Sequence, residues 1–232
     1  MLADIDLAAA QETAAQCQRA GATHARAVRC DVAQVADVEA LAAECVGPID
    51  LVVNNAGVSS GGLVGELSLE DWRWTMEIDL FGVIYGCHVF TPILRKQRSG
   101  RILNVASAAG LLSAPRMGAY NVAKAGVVAL SETLAAELLD SGVSVTVLCP
   151  TFFKSNVIRD GRFTDPKTAK MAHKMGARGI EVEPVVRAAL AAVERGELYC
   201  VPMADGRWFW RLKRLAPGLY THIVRVVARH MG

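Results

Sequence analysis

A tyrosine and a lysine four residues apart, Tyr120 and Lys124 in the run YNVAK, raise the first chemical question about this chain. Alone, such a pair is an ordinary set of helix neighbours, because positions i and i+4 share a face. Ser107 changes the reading. It ends the apolar run RILNVAS (101–107), thirteen residues before Tyr120. A helix begun near Met117 places Tyr120 and Lys124 about one turn apart. If Ser107 faces the same crevice, three polar groups converge on a space the size of a carbonyl. A free phenol has a pKa of about 10, and a nearby ammonium favours the phenolate and lowers that value. Acid–base catalysis works best with a pKa close to the operating pH. The serine hydroxyl would hold a substrate oxygen for the same proton.

The elements that must position these groups are legible as periodicity. Short apolar runs at 24–32, 49–57, 101–107 and 143–150 read as buried parallel strands. Helical patterns fill 7–20, 34–45, 69–97, 118–141 and 184–195. Strands alternating with helices predict a doubly wound α/β fold, with one parallel sheet and helices on both faces. Such sheets bind ligands beyond the carboxyl ends of their strands. The unusual residues here lie at those ends: Asp4 after a strand-like LAD, NNAG (54–57) after DLVV, and Ser107. Small residues and a glycine at a strand end let a flat ring approach the backbone, although NNAG would also make a simple turn.

The 232 residues read as one domain, 52% hydrophobic and 21% charged, which is a globular composition. A net charge of +2 does not point to nucleic acid. Cys17, Cys30, Cys45, Cys87, Cys149 and Cys200 form no CxxC pair. They read as reduced cysteines of a cytoplasmic protein, and no metal site is expected. Acids at Asp4 and Asp6 precede any apolar run, so no signal peptide is expected. No stretch reaches the roughly 20 uninterrupted apolar residues of a membrane span.

Together these segments resemble a short-chain dehydrogenase/reductase of the Rossmann type. The resemblance rests on CDV (30–32), NNAG (54–57), IDLFGVIYG (78–86), RILNVAS, YNVAK and VLCPT (147–151), in that order, and runs from Asp4 to about Pro202. It implies that Tyr120 is the catalytic acid or base, that Lys124 lowers its pKa and holds the nicotinamide ribose, and that Ser107 orients the substrate oxygen. It implies that Asn54, Ala56, Gly57 and Pro150 line the cofactor and that Asp31 and Val32 meet the adenine. Asp4 would accept the adenosine ribose hydroxyls. A carboxylate there repels a 2′-phosphate and favours NAD over NADP. Asp6, already at the start of a helix, is a poor substitute.

Three departures from the family pattern stand out. Only three residues precede Asp4, so no glycine-rich turn is present and the first βα unit is expected to be missing. Asp79 replaces the usual Asn of the catalytic set; a role through its backbone carbonyl would survive the change, and its carboxylate could act on Lys124. Thr151 replaces a common Gly after Pro150, and Ser155 stands where a Thr usually meets the nicotinamide carboxamide.

The segment 151–183 is long for a loop and reads as a substrate lid with a short helix. Phe152, Phe153, Ile158, Met171 and Met175 on it, with Leu111, Leu112 and Met117 opposite, would form an apolar pocket. The expected function is NAD-dependent hydride transfer to or from a secondary alcohol or ketone, alicyclic or steroid-like. The alternative is a catalytically weak cofactor- or ligand-binding protein on the same fold. A homodimer or homotetramer is the family expectation, with 69–97 and 118–141 as interface helices. The extension 205–232 mixes Trp208, Phe209 and Trp210 with basic residues. It reads first as a subunit interface or a cover over the site, and second as a membrane-surface contact.

Overall fold

The computed structural model describes the backbone of residues 1–231 and side chains through Arg229. The chain runs β1 (Leu2–Asp4), α1 (Leu7–Arg19), β2 (Ala27–Arg29), α2 (Val35–Ala43), β3 (Leu51–Asn54) and β4 (Ser60–Gly61). Then come α3 (Leu69–Met76), a π-helical turn (Glu77–Phe81), α4 (Gly82–Gln97), β5 (Gly100–Val105), α5 (Ala108–Leu112), α6 (Gly118–Glu137) and β6 (Val143–Leu148). A 3₁₀ turn (Asn156–Ile158), β7 (Arg162–Phe163), α7 (Pro166–Ala177), α8 (Val182–Glu194), β8 (Tyr199–Cys200), α9 (Ala204–Leu215) and α10 (Pro217–Met231) complete it.

The strands predicted from apolar runs are present, shortened to the residues that ladder. All are parallel, in the order β3-β5-β6-β8, with β1-β2 as a separate pair and β4-β7 a short one. Asn54 is paired with Asn104, and Asn104 with Val147, so β3, β5 and β6 end nearly level. Alternation puts successive residues of β5 on opposite faces. Ile102 packs with Val83, Phe90 and Leu94 of α4 and Val127 and Leu134 of α6. Leu103 packs on the other face with Val185, Ala189 and Val193 of α8. The sheet is covered on both sides, as the periodicity implied.

Caps place the helix starts. Asp6 accepts from the N–H groups of Ala8 and Ala9, and Ser68 from that of Asp71 at 3.0 Å. Helix α3, the π turn and α4 run on as one 29-residue helix, long and apolar enough to cross a membrane. Here it is a core helix, with Thr75, Asp79, Val83, Phe90 and Leu94 buried. The segment 151–183 is more ordered than a plain loop. Its β7 pairs with β4, and Arg162 holds Asp71 at 3.0 Å and stacks on Trp74 at 4.1 Å.

Candidate active site

The carboxyl ends of the strands gather the candidate residues on one edge. Ser107 leaves β5 and caps α5, its hydroxyl accepting from the Ala109 N–H at 3.1 Å. The Pro150 carbonyl, two residues past β6, accepts from the Ala108 N–H at 2.8 Å. Strand β6 is thereby tied to the turn that carries Ser107. Tyr120 and Lys124 lie on α6 one turn apart, with the ammonium 5.7 Å from the ring centroid. Ser107 reaches the Tyr120 hydroxyl closely enough to favour its phenolate. Tyr120 and Lys124 share one face of α6, with Ser107 near enough to act on the phenol.

Lys124 is 3% exposed, and its Nζ donates to the Val105 carbonyl at 3.1 Å. Its other partner is Asp79 Oδ2 at 3.5 Å. Asp79 sits in the π turn with no exposure, and its Oδ1 accepts the Val58 N–H at 2.7 Å. A π turn widens the helix by one residue and often marks a functional site. Of the two roles the sequence offered for Asp79, through its backbone carbonyl or through its carboxylate on Lys124, the structure shows the carboxylate paired with Lys124. Burial pushes the Asp79 carboxyl up, while Lys124 and the Val58 N–H pull it down.

Other influences act on the phenol that Lys124 is expected to favour as phenolate. Burial pushes the Tyr120 phenol up, the Asp79 carboxylate adds to the rise, and the Ser107 hydroxyl opposes it. The ammonium faces a carboxylate, which cancels much of its field at the ring. Cys149 lies close by, but burial pushes its thiol up to about 12, so it stays protonated.

Two glycines mark close approaches. A Cβ on Gly57 would lie 3.2 Å from Asp79 Oδ1 and 3.3 Å from Lys124 Nζ. A Cβ on Gly110 would lie 2.5 Å from the Lys124 carbonyl oxygen. Sequence reasoning missed Gly110, although the glycine of SAAG was its signal. It also missed Val58 and Val105, which act through backbone atoms and carry no sequence signal.

The other predicted residues divide by what their side chains do. Asn54 turns inward: its Nδ2 donates to Asn104 Oδ1 at 2.8 Å, and Asn104 Nδ2 donates to Ser131 Oγ at 2.9 Å. Any cofactor contact from Asn54 is through its backbone. Val32 packs on Gly82, where a Cβ would lie 2.9 Å from it. Asp31 accepts the Ala33 N–H at 3.0 Å and donates its own N–H to Asp37 at 2.9 Å. Asp4 is exposed at the end of β1, accepts the Asp6 N–H at 2.9 Å, and adjoins Asp31 through the Cys30 N–H on its carbonyl. Ala56 and Ser155 are exposed, the latter at the start of the 3₁₀ turn.

These residues fit a dinucleotide at its two ends. Gly57 leaves room against the Lys124–Asp79 pair, and Lys124 keeps a donor beyond Val105 and Asp79. Asp4 and Asp31 lie on adjoining strand ends, linked through the Cys30 N–H on the Asp4 carbonyl, where they would meet a ribose and an adenine. The N-terminus of α1 does not suit a pyrophosphate, because the Asp6 carboxylate already occupies its free N–H groups.

The profile of the short chain dehydrogenase family matches residues 1–165. In sequence the chain is 35% identical over 134 residues to a 3-oxoacyl-[acyl-carrier-protein] reductase of Synechocystis, covering 56% of this chain and 54% of that one. It spans about half the length of the relatives it matches in this way. A short chain dehydrogenase/reductase from Burkholderia phymatum in complex with NAD superposes with a TM-score of 0.85 at 31% identity, over 94% of this chain and 84% of that one. One from Burkholderia cenocepacia in complex with NADP superposes with a TM-score of 0.73 at 25% identity, over 88% and 81%.

Proposed function

The chain belongs to the short-chain dehydrogenase family, and we propose that it interconverts a secondary alcohol and a ketone with NAD in preference to NADP. The observation that carries this reading is the convergence of Ser107, Tyr120 and Lys124 beside Gly57. Nicotinamide, when bound, supplies the hydride acceptor or donor. In the oxidation direction the substrate hydroxyl gives its proton to the Tyr120 phenolate as its carbinol carbon gives up hydride. Ser107 hydrogen-bonds the same oxygen and orients it. Lys124 holds the nicotinamide ribose and carries positive charge beside the phenol. Asp4 supports NAD, because a 2′-phosphate would meet its carboxylate.

The substrate we favour is apolar, alicyclic or steroid-like. Phe152 and Met175 of the 151–183 segment are exposed, and that segment would close over it. Self-assembly through α4 and α6 fits the exposed Ile93 and Val122 on their surfaces, with Phe81 exposed in the π turn that leads into α4. A second reading, a ligand-binding protein of weak catalytic power, is favoured by one observation: Asp79 neutralises Lys124 and leaves the Tyr120 phenol pushed up.

Titrating the protein with NADH and NADPH, and then screening apolar alcohols for NADH formation, separates the two. The enzyme reading expects NADH to bind more tightly, and a turnover that Tyr120→Phe lowers by about 100- to 10,000-fold without loss of fold. Binding without Tyr120-dependent turnover would support the second reading.

A further inference from the structure

The two C-terminal helices have an inner face that is fully used and an outer face that is not. On the inner face Lys213 Nζ donates to the Leu111 carbonyl at 2.7 Å, and the Tyr220 hydroxyl to the Leu112 carbonyl at 2.6 Å. Trp210 packs on Tyr199, with ring centroids 4.9 Å apart. These contacts clamp α9 and the start of α10 onto α5, the helix that Ser107 caps. The outer face is different in kind. Trp208, Arg211 and Leu215 recur at i, i+3 and i+7 on one side of α9. Trp208 is 57% exposed, Leu215 85%, and Leu219 at the start of α10 54%. Arg211 of α9 and Arg225 and Arg229 of α10 are exposed as well.

The charge of this face is one-sided. No acid follows Asp205, and of the six basic side chains there Lys213 lies on the inner face, Arg207 is held by the Val201 and Pro202 carbonyls and Arg214 lies over Trp210, which leaves Arg211, Arg225 and Arg229 for the outer face. None of the six makes a salt bridge among the described residues. We propose that the outer face of α9 and α10 is a docking surface for an anionic lipid bilayer. Exposed apolar side chains would enter the boundary between headgroups and acyl chains, with tryptophan at headgroup level and arginines on the lipid phosphates. Symmetric pairing of this face with a second copy would bring arginine against arginine, which disfavours an isologous dimer here.

The test is flotation of the full chain with vesicles of phosphatidylcholine alone and of phosphatidylcholine with phosphatidylglycerol. Binding is expected to the anionic vesicles and not to the neutral ones, and to weaken as salt rises. Arg211→Gln and Arg225→Gln should each cost about fivefold in partitioning. Trp208→Ser should weaken binding and remove a blue shift in tryptophan emission. Thermal melts and circular dichroism confirm that the variants are folded; all three sites are exposed. Absence of binding to anionic vesicles at low salt would overturn the proposal. So would equal binding by the arginine variants, or size-exclusion data in which Trp208→Ser dissolves an oligomer.

Discussion

Replacing Asp79 by Asn should move the tyrosine limb of the pH profile to lower pH. The carboxylate lies 3.5 Å from Lys124 Nζ, and that ammonium lies 5.7 Å from the Tyr120 ring centroid. Asn is nearly isosteric, and its Oδ1 can still accept the Val58 N–H. Lys124 then faces Tyr120 without a compensating charge. The field restored is at most that of the full ammonium charge at 5.7 Å, which in an effective dielectric of about 20 is worth roughly 3 kcal/mol, or about two pH units. Residual water would screen part of it, so a shift of about one to two units is expected. The sign follows from the role. Oxidation needs the phenolate, so rate rises as pH passes the Tyr120 pKa; Asp79 raises that pKa, so its removal brings the rise to lower pH. Two assays read it. One is the rate of alcohol oxidation across the alkaline range. The other needs no substrate: the phenolate absorbance of each protein minus that of its Tyr120→Phe counterpart. The Tyr120 phenolate signal of Asp79→Asn, read against its double variant, should emerge at lower pH than that of wild type read against Tyr120→Phe. An unmoved limb would refute the reasoning, because it would mean that Asp79 is already protonated and neutralises nothing. A melt must accompany the assay, since one lost partner of a buried pair costs about 3–5 kcal/mol when the other is left uncompensated.

Gly110→Ala should lower both melting temperature and turnover, because its Cβ would press on α6 backbone 2.5 Å away, at the Lys124 carbonyl oxygen. Calorimetry is expected to show a loss of about 1–3 kcal/mol, the range for overpacking. Asp4→Ser should leave turnover with NADH largely intact and narrow the NADH-over-NADPH preference, read from the two dissociation constants. An unchanged preference would remove Asp4 as the selector.

Local patterns carried most of the architecture. The apolar runs around Leu51, Ile102 and Val145 are short, β-branched and bounded by turns, which separates buried strands from helices without any tertiary knowledge. Tyr120 and Lys124 were legible as a pair because they lie one turn apart on α6, whereas Ser107, at the end of β5 and separated from them by α5, was placed by the order of the motifs rather than by spacing. Partnerships made across long sequence separations were not legible. Asn54 meets Asn104 fifty residues on, and Tyr220 reaches Leu112 from the far end of the chain. The tail read as one basic aromatic block, because periodicity alone does not say which helix face is already occupied.

Asp79 shows why correct residues in correct register still left the reactivity open. Its identity was plain in the sequence and a carboxylate acting on Lys124 was foreseeable, but the spacing along the chain did not give the 3.5 Å contact. The π turn brings the carboxylate in, and Gly57 leaves room for it. Burial then removes the water that would have screened it. A phenol at this site is tuned by the balance of three terms: desolvation, the Lys124 charge and whatever faces that lysine. The first two follow from the fold. The third is set by Asp79, so the working pH of Tyr120 rests on Asp79 as well as on burial and Lys124.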